Sequence, residues 1–206
     1  MSKVTIKLPE NISEITLDQY QRFEVLSKRT DLDDLGLNKR IINIFTGLKY
    51  KDIDNIPYKD YEDIIKQITV ALSESAPFQD RFFIDNVEFG FVPNLDDMST
   101  AEFVDLSNYG LDIENYHKIM AILFRPIVKN DGFKNYNITT YNGTKDWANT
   151  MKQMDMSIVL GAIGFFYHLA NELRIHTQRY TKVDQVKGVA HPTTLKSGAG
   201  TSQLAV

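Results

Sequence analysis

Residues Ile158-Val159-Leu160-Gly161-Ala162-Ile163-Gly164-Phe165-Phe166-Tyr167-His168-Leu169-Ala170 narrow most sharply what this chain can fold into, because a helix built from them is apolar around nearly its whole circumference. Thirteen residues fall short of the roughly 20 that cross a bilayer. The block is therefore either the central helix of a core or a surface that another chain covers, and both readings stand at this point. As a contact surface it would offer Ile158, Leu160, Ile163, Phe165, Phe166 and Tyr167 to a partner protein. Gly161 and Gly164 lower helix propensity, which points to another backbone approaching closely on that side.

Local signals place further elements around this block. Thr16-Leu17-Asp18-Gln19 reads as a capping box, with Ile15 and Tyr20 spaced for a hydrophobic staple, so a helix starts there. The same grammar returns at Ser99-Thr100-Ala101-Glu102, with Met98 and Phe103 as the staple pair. Leu37, Ile41, Ile44 and Phe45 follow helical spacing until Gly47, and after Pro57 a second stripe runs through Tyr61, Ile64, Ile65, Ile68 and Leu72. Asp112 to Phe124 is helical by pattern, with Pro126 as its stop. Phe82 to Phe91 predicts a β-hairpin turning at Asp85-Asn86. Phe133 to Gly143 reads as an extended segment closing in a tight turn, and Trp147 and Met151 suggest a short helix. Val4 to Leu8 reads as a strand able to pair with the hairpin, without the apolar block of a signal peptide.

The expected fold is α+β and mainly α-helical, a helical bundle with a small antiparallel sheet made of the N-terminal strand and the hairpin near 82–92. A single domain over residues 1–180 is expected, since 43% hydrophobic and 24% charged residues are globular values. After Tyr180, Gly188, Pro192, Gly198 and Gly200 sit among Ser, Thr and Lys with no apolar period. Residues 181–206 are thus expected to form an arm that is flexible or ordered by a partner.

A search for chemistry returns little. Cysteine is absent, which removes disulfides, thiolate metal sites and thiol nucleophiles. His117, His168, His176 and His191 lack zinc spacing, and the carboxylates at Asp31-Asp33-Asp34 and Asp52-Asp54 have Leu35 and Ile56 at the third ligand position of a calcium loop and lack its terminal glutamate. Ser197-Gly198-Ala199-Gly200-Thr201-Ser202 lacks the lysine and preceding strand of a phosphate loop. No catalytic, cofactor or metal residue is assigned, and the chain is expected not to be an enzyme. A net charge of −4 argues against nucleic acid as principal partner, although Arg174, Arg179, Lys182, Lys187 and Lys196 outnumber Glu172 and Asp184 between 171 and 196. No membrane partner is expected.

Four features carry a family resemblance. They are the strand followed by Ile15-Thr16-Leu17-Asp18-Gln19-Tyr20, the step from Gly47-Leu48 to Ile56-Pro57, the run His117-Lys118-Ile119-Met120-Ala121-Ile122-Leu123-Phe124-Arg125-Pro126, and the closing block from Met156 to Leu173. In these the chain resembles tail-assembly chaperones and baseplate-hub assembly proteins of tailed bacteriophages, over most of residues 1–175. The resemblance implies a non-enzymatic protein of the host bacterial cytoplasm that binds other phage structural proteins during tail or baseplate assembly. It carries over no site residues. Retention in the mature virion, in the neck, a ring or the baseplate, is an alternative implication, and homo-oligomer formation stays open. A further alternative is a small enzyme or nucleic-acid-processing protein built on Tyr167, His168, Glu172 and Arg174.

Overall fold

The computed structural model describes residues 6–93, 98–110, 112–130 and 136–166, which lie in one compact unit. It is mainly helical, with a small antiparallel sheet. The helices are α1 (Leu17–Ser27), α2 (Asp34–Thr46), α3 (Tyr50–Ile53), α4 (Tyr58–Leu72), α5 (Thr100–Tyr109), α6 (Tyr116–Leu123), α7 (Ala148–Met151) and α8 (156–166). The strands β1 (Arg81–Ile84), β2 (Val87–Phe91), β3 (Phe124–Asn130) and β4 (Tyr136–Ile138) pair in the order of the chain.

The punctuation residues act where local chemistry places them. Thr16 accepts from the Gln19 amide at 3.3 Å while the Gln19 side chain accepts from the Thr16 amide at 3.0 Å, so two otherwise orphaned donors at the start of α1 are satisfied. Gly47 closes α2 at φ 71°, a left-handed conformation that costs a residue with a Cβ. Asp85 and Asn86 both take positive φ, 48° and 64°, which twists the two-residue turn to match the strands it joins.

The sheet corrects two expectations. Its third strand is β3, which leaves α6 without a loop: Leu123 ends the helix and Phe124 is already extended. Pro126 lies inside that strand opposite Phe89, and although it has no N–H to give, its carbonyl accepts from Thr139 at 2.9 Å. The proline thus biases its predecessor to the extended region, and the residue expected only to stop the helix lies within a strand that follows it directly. β3 takes the free edge of β2, and among the described residues no N-terminal strand pairs with the hairpin. Residues 6–8 form no strand, and Ile6 and Leu8 instead pack side chains on the core; residues 4 and 5 lie outside the described residues.

One cluster joins the helices to the inner face of the sheet. Phe82, Phe89, Phe91 and Phe124 meet Ile15, Leu17, Ile68, Met120 and Met154 there, and each such side chain contributes about 1.5–3 kcal/mol by leaving water. Backbone bonds fasten the start of α1 to the entry of α8, from Leu17 to Met154 at 2.9 Å and from Met156 to Ile15 at 2.8 Å.

Candidate docking surface

The residues proposed from sequence divide by position. Ile158 and Ile163 lie in the core, 4% and 6% exposed, so a partner could reach them only by opening it; for these two the core reading replaces the contact reading. Leu160 and Phe166 are half-buried against the same cluster. Phe165 is 37% exposed but already partnered, stacked on Phe78 at 4.5 Å. Tyr167 lies outside the described residues. Gly161 has the predicted close approach, because a Cβ there would stand 2.4 Å from the Pro77 carbonyl oxygen, whereas one at Gly164 would meet nothing within 4 Å.

A different helix carries the unusual surface. In α5, Glu102 is the only buried residue, at 4% exposure, while Phe103 and Val104 stand 64% and 46% exposed. Helical spacing explains the division: Glu102, Asp105, Leu106 and Tyr109 share the inward face, and Phe103, Val104 and Ser107 share the outward one. The expected Met98–Phe103 staple therefore does not bury Phe103. The helix thus splits its apolar residues, with Leu106 and Tyr109 packed inward beside the buried Glu102 and with Phe103 and Val104 in water.

Three polar contacts hold α5 this way. Glu102 serves two elements at once: its Oε2 accepts from the Ser99 amide and hydroxyl, both at 2.7 Å, and its Oε1 lies 2.6 Å from Nη2 of Arg125 on β3. The Tyr141 hydroxyl donates to Asp105 at 2.5 Å, and Tyr109 meets the Thr144 hydroxyl at 3.3 Å. Burial pushes the Tyr141 phenol well above its usual range, and Asp105 adds to that, so it stays a proton donor. Burial lowers Arg125, and the Glu102 charge opposes that shift.

The ion pair is not an ideal fork. Glu102 Oε1 and Arg125 Nε form no aligned hydrogen bond with any of the described residues, so the 2.6 Å approach is a charge contact and not a bidentate bridge. Desolvation largely cancels the attraction in a pair of this kind, yet removing one member strands the other charge. It fixes the orientation of α5 more than it adds stability.

Arg125 reaches Glu102 because of strand register. Arg81, Gly90 and Arg125 are paired across β1, β2 and β3 and share the outer face of the sheet. A Cβ at Gly90 would stand 2.3 Å from the Tyr136 ring, which lies over this row with its hydroxyl donated to the Phe91 carbonyl at 2.7 Å. Arg81 stacks on the same ring at 4.3 Å.

Other chemistry is sparse among the described residues. No group of three or more His, Asp or Glu side chains there could hold a metal ion, and no helix there is long and apolar enough to cross a membrane. His117 is tied to Gln21 at 3.1 Å, while His168, His176 and His191 lie outside the described residues, as do Glu172 and Arg174. Sequence reasoning missed the α5 surface because it read Glu102 only as a cap. A partial signal was present: Val104 falls on the side of the helix opposite Leu106 and Tyr109. No family model, curated protein or solved structure matches the chain.

Proposed function

We propose that this chain is a non-enzymatic protein that docks other proteins, and that it serves tail or baseplate assembly in a tailed bacteriophage. The observation that supports docking most strongly is the outward Phe103 and Val104 on a helix whose inward anchor is the Glu102–Arg125 pair. Exposed bulky apolar groups on a rigidly oriented helix lower solubility in isolation, and a partner that covers them recovers the burial energy. The phage context rests on the sequence resemblance across residues 1–175. The partners are then other phage structural proteins, met in the host bacterial cytoplasm.

A photo-reactive phenylalanine analogue at Phe103 tests the reading during phage production. The expected result is an adduct between this chain and a viral structural protein, with none when the analogue replaces the exposed Lys59 on α4. Equal adducts at both positions, or none at Phe103, would contradict it. Mass spectrometry of purified particles then separates the two forms of the proposal, since an assembly factor is lost and a virion component persists in fixed stoichiometry.

A further inference from the structure

Between two of the contacts that hold α5 lies the pair Asn142-Gly143, and Asn142 is the one asparagine in the chain that a glycine follows. That order has a chemical consequence. A following residue without a Cβ lets its backbone nitrogen reach the asparagine side-chain carbon at little steric cost. Gly143 takes φ 88°, and a Cβ built there would meet nothing within 4 Å, so the loop is open around it. Asn142 is exposed. Among the described residues no backbone carbonyl accepts from the Gly143 amide and no hydrogen bond holds the Asn142 carboxamide, so both reacting groups can turn. Asn43 and Asn55 show the opposite case. Their side chains donate to the Leu48 and Lys51 carbonyls at 2.7 and 2.8 Å, and the β-branched Ile44 and Ile56 that follow crowd the nitrogen that would have to attack.

Both ends of this loop are clamped to one helix. Tyr141 donates to Asp105 at 2.5 Å and Thr144 meets Tyr109 at 3.3 Å, and Asp105 and Tyr109 are spaced i and i+4 on α5. Thr144 is itself buried, and its carbonyl accepts from the Trp147 and Ala148 amides at 3.3 and 2.9 Å, which holds that end in place. We propose that Asn142 is a site of spontaneous deamidation and that the isoaspartate it yields releases α5. The Gly143 nitrogen bonds to the Asn142 side-chain carbon and gives up its proton, and the side-chain nitrogen leaves as ammonia, closing a succinimide ring. Water then opens the ring at either carbonyl. One opening gives aspartate with the chain length unchanged; the other gives isoaspartate, in which the backbone runs through the side chain and is longer by a carbon. Tyr141 and Thr144 then no longer match one turn of α5, and a 10-residue helix does not hold itself without its packing contacts. Release of α5 needs no partner protein, so it can fail while the docking reading stands, and the reverse.

The test incubates the full chain and its Asn142→Gln variant, whose longer side chain closes a ring only slowly, at mildly alkaline pH, where the attacking amide loses its proton more readily. Peptide mass spectrometry of the parent should show a growing fraction in which the peptide holding residue 142 has exchanged NH for O, and an isoaspartate-specific methyltransferase should label that peptide. The variant should show neither change. Hydrogen exchange of the amides from Phe103 to Tyr109 should be several-fold faster in the aged parent than in the fresh one, while the Phe89 amide stays protected and the aged variant matches the fresh parent. A fresh Asn142→Asp protein should also match the fresh parent, because it adds the charge without lengthening the chain; exchange as fast as in the aged parent would overturn the role given to isoaspartate. Absence of isoaspartate at residue 142 in the aged parent, or an unchanged α5 in protein that contains it, would overturn the proposal.

Discussion

Helices α1 and α5 begin with the same chemistry and end in opposite situations. Each opens with a complete capping box, Thr16 with Gln19 and Ser99 with Glu102. Downstream, α1 sinks Leu17 and Leu26 into the core behind a fully buried Ile15, while α5 sinks a carboxylate and leaves Phe103 and Val104 in water. A cap therefore says where a helix starts and nothing about which side faces inward. For α5 that choice is made from a distance, by Arg125 on the outer face of β3 and by Tyr141 and Thr144 beyond it. An element oriented by a few polar contacts can keep its apolar side free for another chain.

The strongest way to break the contrast is to strand the anchor. Arg125→Met alone should lower stability by about 3–5 kcal/mol, because Glu102 would be left charged and buried, whereas Arg125→Met with Glu102→Leu should recover most of that loss. Urea unfolding of the two proteins decides it; a single variant as stable as the parent would show that the pair does not hold α5. Removing the corresponding anchor of α1 by Leu17→Ala should cost about 2–5 kcal/mol by leaving a cavity, and here no compensating partner exists.

The caps themselves should matter equally on the two helices. Thr16→Ala and Ser99→Ala are each expected to cost about 1 kcal/mol, and a much larger loss at Ser99 would mean that the Glu102 carboxylate depends on that hydroxyl for its place.

A pH dependence sharpens the α1 side. Burial lowers the His117 imidazole, helped by Lys152 and Lys118, while its Nδ1 faces the Gln21 amide from α1. Because the folded value lies below the unfolded 6.5, the unfolded chain binds the extra proton first. Stability should thus be full above about pH 6.5 and should fall as the pH drops from there through the folded value. Denaturation curves across that range should flatten in His117→Gln; an unchanged slope would place the titration elsewhere. The smallest effect belongs to the outward face of α5, where Phe103→Ser should change stability by no more than about 0.5 kcal/mol.

The same contrast explains what could be read in the sequence. Caps, the Gly47 stop and the Asp85-Asn86 turn were legible because each is decided within about four residues by backbone geometry and one side chain. That the apolar block from Ile158 is helical was legible from its composition, as far as the described residues reach, and the close approach at Gly161 from its lack of a side chain, while the choice between core and contact surface was not. The direct passage from α6 into β3 was not, because Met120 to Phe124 is an apolar run equally able to extend a helix or begin a buried strand. Nor was the α5 surface, since an N-terminal glutamate reads as a cap whether or not an arginine waits behind it. Ile158 and Ile163 were offered as contacts on hydrophobicity alone, and both are buried, whereas Phe103 and Val104 are exposed.

Hydroxyl-radical footprinting of the isolated chain tests the orientation of α5 most directly. The account predicts that Phe103 is oxidised as readily as the exposed Tyr58, while Phe89 and Leu17 stay protected. A Phe103 as protected as Phe89 would mean that the helix turns Phe103 inward, and the proposed docking surface would be gone.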